Sequence, residues 1–357
     1  MFNFGPAVIS YARMDNFIKN LEIKNFKSIK HLSLDCKRVN VFIGKPNVGK
    51  SNILEALGLF SSVFVEENLN ELIRMKKTDD LFFDSFLSNT IEIRLDDRFL
   101  LTLSFERELN GLIVFKINIS TYDYDIASIY LIREGMVKWS DSHLTGGLIK
   151  PQDGNNSVDI FTKYYRYNSY TPQDSSFKSY LSSPSGENLF EIVTNYPEIR
   201  SKIVAMLKEQ SLEFVSLINE RDFKLQKNID GFVTQYPYSS IADTFQRFIF
   251  YLAAIESNTD SVLIFEEPEV HSFPPYVKEL AERMILKDDN QYFVSTHSPY
   301  LLQTFIDSLD DTQLNVYLTY YKDYQTHVKA LTPDDLRDIQ DFGYDVFFNL
   351  RKFEPND

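Results

Sequence analysis

The sequence predicts an α/β fold with a mixed, largely parallel sheet, an antiparallel β subdomain and an inserted helical segment. Three observations predict it. Short apolar runs alternate with helical patterns near both ends of the chain, segments of period two fill the first half of the middle, and a helical pattern follows them. With 357 residues and 43% hydrophobic composition, the chain is long enough to bury a sizeable core.

The first unit is predicted to run strand, loop, helix. Residues 21–25 and 32–34 alternate apolar and polar side chains, which is typical of half-exposed strands, whereas residues 39–43 are nearly all apolar and indicate a buried strand. Apolar residues at close to helical spacing then predict a helix over about residues 50–65. Glycines lie between the buried strand and this helix.

The middle third is predicted to be inserted. Period-two segments over about 92–133, with Asn110-Gly111 as a turn signal, predict an antiparallel meander. Residues 164–188 are rich in Ser, Tyr, Pro and Asn, so we expect an exposed loop there. Its tyrosines, at 164–170, are candidates for a partner surface, although exposed loop tyrosines are common. From Pro197 a broadly helical face continues to about Asn219.

Alternating units resume after Ser239. We expect a helix to about residue 257, a strand at 262–265, a helix at 275–286, a strand at 292–295 and a terminal hairpin at 314–320 and 327–331. The predicted domains are therefore 1–90 and 236–357 as the two halves of one core, with 91–235 inserted.

Composition excludes several classes of protein. The longest apolar run, at 249–255, is too short to span a bilayer and no secretory leader is evident, so we expect a cytoplasmic protein without membrane contact. One cysteine and five scattered histidines give no zinc-binding pattern. The net charge of −14 repels DNA, so DNA binding needs a local basic patch. The candidates for such a patch are Lys19, Lys24, Lys27 and Lys30.

The segment 44–51 reads Gly-Lys-Pro-Asn-Val-Gly-Lys-Ser and fits the phosphate-binding loop pattern G-x-x-x-x-G-K-[ST] between a strand and a helix. Backbone N–H groups and the helix N-terminus can surround phosphate oxygens, Lys50 can reach the β and γ phosphates, and the Ser51 hydroxyl can bind Mg²⁺. The sequence therefore predicts a P-loop NTPase that binds a nucleoside triphosphate and Mg²⁺. The nucleotide-binding residues expected here are Gly44, Asn47, Val48, Gly49, Lys50, Ser51 and Asn52.

Two carboxylates follow the apolar run at 262–265. Burying two adjacent carboxylates in a core would cost a large free energy, so Glu266 and Glu267 must lie at the carboxyl end of the strand. In an open α/β sheet this end faces the ligand crevice. We expect Glu266 to hold the magnesium ion and Glu267 to polarise an attacking water.

A third strand end, after residues 292–295, carries a histidine. His297 is placed to hydrogen-bond a γ-phosphate oxygen or to steady the attacking water, although an isolated histidine is more often structural. The predicted catalytic residues are thus Glu267, His297 and Lys50.

These motifs in this order, with Phe26-Lys27-Ser28 before them, resemble the ABC-type ATPases of the RecF, SMC and OLD group over residues 20–65 and 236–305. The sequence Glu266-Glu267-Pro268-Glu269 and residues 185–189 look more closely like the OLD-like AAA ATPases of bacterial anti-phage systems. The resemblance implies an ABC-ATPase head and adds Lys27 to the nucleotide-binding residues.

In that group ATP lies between two subunits, the phosphate loop of one facing a signature helix of the other. The matching positions here are Ser239 and Ser240, and Ser240 with Asp243 fits a capping box at a helix start. The group's usual Ser-Gly-Gly is missing, and Ile241 is bulky. An ordinary capped core helix remains the alternative.

Other features of the group are absent or unassigned. The glutamine loop cannot be matched to one residue. Only about sixty residues follow Pro299, too few for the TOPRIM nuclease domain of full OLD proteins, and no heptad run suggests an SMC coiled coil. The acids around Asp15 and Glu22 only superficially suggest a nuclease site.

The leading hypothesis is an ATP-dependent switch: a homodimer, or a higher oligomer, that closes on Mg²⁺-ATP and signals to a separately encoded effector in antiviral defence. One alternative is a scaffold that holds ATP with little turnover and sequesters a toxic partner. The other is a RecF-like DNA-repair ATPase.

Overall fold

The fold contains a mainly parallel sheet and an antiparallel sheet, which share a hydrophobic core. The structure is a computed structural model. It describes residues 16–64, 68–106, 114–122, 125–132, 137–139, 144–145, 148–149, 161–169, 178–342 and 346–354. Within those ranges no helix is long and apolar enough to cross a membrane.

The core sheet has six strands. Five of them run parallel, and the last pairs antiparallel with its neighbour. In spatial order they are β11 (Thr162–Tyr165), β15 (Val262–Glu266), β16 (Gln291–Ser295), β3 (Val39–Ile43), β17 (Leu314–Lys322) and β18 (Gln325–Ala330). The carboxyl ends of β15, β16 and β3 therefore lie side by side.

The strands β3, β15 and β16 are buried on both faces, which explains why most of their residues are hydrophobic. Along β3, Val39, Val41 and Ile43 belong to the core shared with the C-terminal helices, whereas Phe42 points into the core shared with the antiparallel sheet. The sheet thus separates two hydrophobic cores.

The antiparallel sheet has seven strands, in the spatial order β2, β1, β4, β5, β6, β7, β8. Their bounds are β1 (Asn20–Phe26), β2 (Ile29–Asp35), β4 (Ile91–Leu95), β5 (Phe99–Phe105), β6 (Val114–Thr121), β7 (Asp125–Ile132) and β8 (Val137–Trp139). The meander predicted for residues 92–133 is confirmed over β4 to β7, whereas its turn signal, Asn110-Gly111, lies outside the described residues. Because β1 pairs with β4, the strand pairing crosses the domain boundary predicted at residue 91.

The described residues also form two small sheets and eight α-helices. The strands β9 (Leu144–Thr145) and β10 (Leu148–Ile149) pair with each other, and so do β12 (Glu213–Leu217), β13 (Asp222–Ile229) and β14 (Phe232–Pro237). The helices are α1 (Lys50–Gly58), α2 (Leu189–Asn195), α3 (Pro197–Lys208), α4 (Asp243–Ser257), α5 (Pro274–Leu286), α6 (Pro299–Ser308), α7 (Pro333–Phe342) and α8 (Leu350–Phe353).

Two expectations for the middle of the chain are wrong. The helix from Pro197 ends at Lys208, and residues 213–217 form β12, because Phe214 and Val215 favour an extended strand that pairs with β13. The first residues of the predicted exposed loop are the end of β11. Tyr164 and Tyr165 are 1% and 0% exposed, so these two tyrosines belong to the core and not to a partner surface.

The first predicted helix is also shorter than expected. It is α-helical over Lys50–Gly58 and then tightens into a 3-10 helix over Leu59–Phe64. Gly58 lies at the change, where an added Cβ would be 2.9 Å from the ring of Tyr164. The close approach of α1 to β11 therefore requires glycine at this position.

Candidate functional site

The phosphate loop joins β3 to α1 as predicted. Gly44 and Gly49 have φ angles of 150° and 101°, a range that favours glycine, and Asn47 has a φ of 62°. The Nζ atom of Lys50 donates hydrogen bonds of 3.0 Å to the carbonyl oxygens of Gly44 and Lys45, so its ammonium lies inside the loop. Burial lowers the pKa of Lys50 from its ordinary value, although Glu267 and the neighbouring acids oppose that shift.

The β17–β18 hairpin packs directly on this loop. A Cβ added at Gly44 would lie 2.2 Å from the carbonyl oxygen of Thr319, and one added at Gly49 would lie 2.1 Å from Oγ1 of Thr326. Both glycines are therefore needed for the close approach of the hairpin as well as for their backbone angles. Nothing in the local sequence of the hairpin indicated this contact.

A chain of hydrogen bonds links the loop to the antiparallel sheet. Asn52 Nδ2 donates to Ser28 Oγ at 2.6 Å, Ser28 Oγ lies 2.6 Å from Thr326 Oγ1, and Thr326 Oγ1 donates to Val48 O at 2.9 Å. Asn52, predicted to bind nucleotide, here ties α1 to the β1–β2 turn. Its predicted contact with nucleotide stays a prediction.

Glu267 and His297 lie together at the ends of two neighbouring strands. His297 Nε2 is 3.4 Å from Glu267 Oε1, and both side chains are about one-third exposed. Glu267 has a φ of 44°, and its N–H donates to Ser295 O at 3.0 Å, which fixes the chain as it leaves β15. Since β16 lies between β15 and β3, the acid, the imidazole and the phosphate loop share one edge of the core sheet.

Glu269 supports the histidine from behind. Its Oε1 accepts hydrogen bonds from Thr296 Oγ1 at 2.6 Å and from the backbone N–H of His297 at 2.7 Å. Its buried Oε2 has no hydrogen-bond partner among the described residues, and burial raises the pKa of this carboxyl. Burial lowers the pKa of His297, with Lys50 adding to the effect and Glu267 opposing it, so the neutral imidazole is favoured.

Glu266 is held by two side chains that the sequence did not single out. Its Oε1 accepts a 2.5 Å hydrogen bond from Arg74, and its Oε2 accepts one of 3.0 Å from the Tyr164 hydroxyl. Arg74 Nε also donates to Glu55 Oε1 at 3.1 Å, so the guanidinium bridges the buried acid of α1 and the strand-end acid. Burial, with Glu266 and Glu55 adding to it, raises the pKa of Tyr164 well above its ordinary value.

Lys27, assigned to nucleotide by resemblance, is engaged elsewhere. Its Nζ lies 2.5 Å from Glu55 Oε2 and donates to Arg74 O at 2.7 Å. Lys24 likewise pairs with Glu22 at 3.1 Å. Two of the four lysines named as candidates for a basic patch therefore pair with acids, which counts against a DNA-binding surface at this position.

The capping box predicted at the signature position is wrong. The N-cap of α4 is Ala242, which has no side chain that can cap, and Ser240 ends a 3-10 turn before it. Asp243 instead accepts from Arg247 Nε at 2.6 Å and contacts His271 Nδ1 at 3.0 Å. Ser239 and Ser240 are exposed and lie just before α4. The phosphate loop packs on other elements of the chain, the strands β17 and β18.

The donors present suit magnesium in an NTPase. Mg²⁺ is usually held by one or two protein oxygens together with substrate phosphates and water, and it needs no cage of acids. The Ser51 hydroxyl at the start of α1 and the Glu266 carboxylate provide that chemistry. The described residues contain no cluster of three or more His, Cys, Asp and Glu side chains that could hold a metal ion.

Comparison with known proteins gives the family. A family model described as an AAA ATPase domain matches residues 17–240, which is more than half of the chain. The chain belongs to the AAA ATPase domain family. This confirms the ATPase domain expected from the phosphate loop, and hydrolysis of ATP by this chain stays a prediction. The match ends at Ser240, before Glu266 and His297, so the roles of those residues rest on geometry.

One curated relative is an uncharacterised protein, MJECL10, of Methanocaldococcus jannaschii. It is 32% identical over 98 residues, which are 25% of this chain and 44% of that protein. The AAA ATPase chain therefore spans less than half the length of this relative. The finer resemblance to OLD-like ATPases of anti-phage systems stays a prediction.

Solved structures give loose matches. One is an SMC head bound to the C-winged helix domain of ScpA, with a TM-score of 0.48, 15% identity, and coverage of 89% of this chain and 99% of that one. Another is the SMC head domain of Thermotoga maritima, with a TM-score of 0.40, 14% identity, and coverage of 88% of this chain and 99% of that one. A third is an SMC head of Pyrococcus furiosus with an extended coiled coil, with a TM-score of 0.46, 12% identity, and coverage of 91% of this chain and 99% of that one.

Proposed function

We propose that this AAA ATPase domain binds Mg²⁺-ATP and hydrolyses it at the carboxyl edge of the core sheet. The observation that carries the proposal is the placement of three strand ends side by side: the phosphate loop after β3, Glu267 after β15 and His297 after β16. Open α/β sheets bind ligands at this edge. A phosphate chain along the loop would bring its γ end near the acid and the imidazole.

Each residue has a distinct proposed role. Lys50 turns from the carbonyls of Gly44 and Lys45 to the β and γ phosphates, and the loop N–H groups surround their oxygens. Ser51 and Glu266 hold Mg²⁺, which, when bound, neutralises charge on the phosphates. For Glu266 this means releasing the 2.5 Å contact with Arg74, an exchange that a half-exposed guanidinium permits.

Glu267 is the proposed general base. Its carboxylate orients a water for attack on the γ phosphorus and accepts the proton, and neutral His297 donates a hydrogen bond to the γ-phosphate. The 3.4 Å contact between the two side chains keeps both at the same point of the site. Glu269 steadies the backbone of His297 and does not reach the reacting atoms in this proposal.

The test of hydrolysis is the substitution Glu267→Gln. It keeps the shape of the side chain and removes the base, so we expect ATP binding within about twofold of wild type and turnover lowered by about 10²- to 10⁴-fold. A matched control is Glu282→Gln, an acid on α5 that is half exposed. Wild-type turnover by the Glu267→Gln protein would exclude Glu267 as the base.

We infer further that two copies close head to tail on ATP. The support is the exposure of Ser239 and Ser240 just before α4, where their hydroxyls and the N–H groups at the helix start can reach a neighbour's γ-phosphate. In the Glu267→Gln background, Mg²⁺-ATP should produce a dimer in sedimentation velocity, whereas ADP should not. Adding Ser240→Arg should prevent that dimer, while each monomer still binds ATP at its own phosphate loop. An ATP-independent monomer would refute closure.

The biological role proposed from the motif resemblance is a sensor subunit that works with a separately encoded effector in anti-phage defence. Its support is sequence resemblance alone. Affinity purification of the Glu267→Gln protein with Mg²⁺-ATP from its native host should recover a second protein, and ADP should release it. Recovery of the same proteins with Lys50→Ala would contradict a nucleotide-gated complex.

One observation favours slow turnover. The segment that would face a neighbour's phosphate lacks the Ser-Gly-Gly of the ABC-type ATPases it resembles and has Ile241 in that position. The alternative function is therefore a scaffold that retains ATP. Single-turnover measurements separate the two: ATP retained for hours indicates the scaffold, and loss of the γ-phosphate within minutes indicates the switch.

A further inference from the structure

Residues 346–354 contact the candidate site at two places. The rings of Phe347 and His297 lie 6.1 Å apart between centroids, and Glu354 Oε1 accepts a 2.6 Å hydrogen bond from Lys45 Nζ. The segment is anchored between these contacts by Leu350 and Phe353, which are 6% and 2% exposed. It therefore lies against both the phosphate loop and the histidine.

Lys45 is a second lysine of the phosphate loop, and the proposed function does not use it. Its carbonyl oxygen is 3.0 Å from Lys50 Nζ, so its backbone lies beside the ammonium that is expected to reach the β and γ phosphates. The Lys45 side chain is 47% exposed and turns outward to Glu354. The loop thus carries one buried ammonium and one that a surface carboxylate holds.

The pair between Lys45 and Glu354 is suited to exchange. Both side chains are substantially exposed, at 47% and 30%, and exposed ion pairs change an equilibrium constant by about fivefold or less. A γ-phosphate carries more charge than one carboxylate and offers three strong acceptor oxygens. It can therefore compete with Glu354 for the lysine.

We propose that Lys45 is a second phosphate-binding lysine that distinguishes ATP from ADP, and that Glu354 competes for it when no γ-phosphate is present. This inference rests on the proposed nucleotide site. Binding of ATP transfers Lys45 from Glu354 to the γ-phosphate, which frees one attachment of the segment 346–354. Binding of ADP leaves the pair intact. The segment thereby reports which nucleotide is bound.

The opposite reading is that the ion pair merely fastens the segment to the loop. In that case loss of Glu354 would lower stability and leave both nucleotide affinities unchanged. The two interpretations differ in the ATP affinity that they predict for a Glu354 variant. Competition predicts that the variant binds ATP more tightly than the parent, whereas simple attachment predicts an unchanged affinity.

The first test is calorimetric titration of Mg²⁺-ATP and Mg²⁺-ADP, in the Glu267→Gln background to prevent turnover. We expect Lys45→Gln to weaken ATP about tenfold and ADP less than about twofold, because a hydrogen bond to a charged group is lost only with ATP. Glu354→Gln should tighten ATP by about two- to fivefold and leave ADP unchanged. The double variant should match Lys45→Gln.

Several outcomes overturn the inference. Equal effects of Lys45→Gln on ATP and ADP, or an unchanged ATP affinity in Glu354→Gln, would do so while the parent still binds nucleotide. A parent that binds neither nucleotide would instead refute the proposed function itself. Glu282→Gln, on α5, serves as the control that should change neither affinity.

The second test needs no further substitution. The N–H of Glu354 donates to Leu350 O at 3.2 Å, so its exchange reports on the end of α8. In hydrogen–deuterium exchange of the Glu267→Gln protein, peptides covering 350–354 should exchange faster with Mg²⁺-ATP than with Mg²⁺-ADP. Identical exchange with the two nucleotides would contradict the release of the segment.

Discussion

The ammonium of Lys27 lies 2.5 Å from the carboxylate of Glu55, a side chain that is 1% exposed. Glu55 belongs to the helix that follows the phosphate loop, and Lys27 belongs to the turn between β1 and β2. Arg74 contacts the other oxygen of the same carboxylate and extends to Glu266. This buried acid therefore joins the antiparallel sheet to the nucleotide-binding half of the core and orients the guanidinium beside Glu266.

Removal of the Glu55 carboxylate should lower the stability of the folded protein. Breaking a buried ion pair leaves an uncompensated charge, so we expect Glu55→Ala to lower the free energy of unfolding by about 3 kcal/mol in urea denaturation. Glu22→Ala is the control, because Glu22 forms exposed pairs with Lys24 and Arg94 and should cost under about 1 kcal/mol. Equal losses in the two variants would contradict a structural role for Glu55.

Gly49 should tolerate no side chain. In Gly49→Ala the new methyl carbon would lie 2.1 Å from Thr326 Oγ1, which is a steric clash. The backbone φ of 101° adds conformational strain for any residue other than glycine. Gly231, at φ 84° with open space around it, is the matched control and carries the strain alone, about 1–2 kcal/mol.

Thermal unfolding and nucleotide titration check this prediction. Gly49→Ala should be less stable than Gly231→Ala and should bind ATP at least about tenfold more weakly, because the loop must move away from the hairpin. Gly231→Ala should bind ATP like wild type. Normal ATP affinity in Gly49→Ala would show that the hairpin contact does not hold the loop.

Glu269 should make stability depend on pH. Burial raises the pKa of this carboxyl in the folded protein, so its contribution to stability is complete below the unfolded-state pKa near 4.5 and is lost as the pH rises through the folded-state pKa. Glu269→Gln removes that loss. The variant should therefore gain about 1 kcal/mol of stability relative to wild type at pH 8 and nothing at pH 4.

Denaturation of both proteins at the two pH values gives this difference directly. The Gln side chain can still accept from Thr296 and from the N–H of His297, so the histidine stays in place. Glu282→Gln on the surface of α5 should show no such pH-dependent gain. A gain at pH 4 equal to that at pH 8 would mean that ionisation of Glu269 is not the cause.

Much of the site could be predicted because its residues follow short buried strands. Short, mostly apolar strands precede Gly44, Glu266 and His297, and parallel strands bring their carboxyl ends to one edge. Those local signals are enough to place the phosphate loop, the acid pair and the imidazole together.

Other features carry no local signal. The strand Thr162–Tyr165 reads Thr-Lys-Tyr-Tyr, which lacks an apolar run. It is recognisable only through its pairing with β15 and through Asn258, which accepts from the buried Lys163 at 2.5 Å. The contact of Arg74 with Glu266 joins residues 192 apart in sequence. Such pairings depend on tertiary packing and cannot be derived from composition or periodicity.

The central claim is that a triphosphate binds at the loop containing Lys50, whose ammonium now rests on the carbonyls of Gly44 and Lys45. Titration of Mg²⁺-ATP into the wild-type protein by calorimetry tests it most directly, with Lys50→Ala as the variant and Lys278→Ala, an exposed lysine of α5, as the control. We predict saturable one-site heat for wild type and Lys278→Ala and at least about tenfold weaker binding for Lys50→Ala. No heat from the wild-type protein, or equal affinity in Lys50→Ala, would contradict the account.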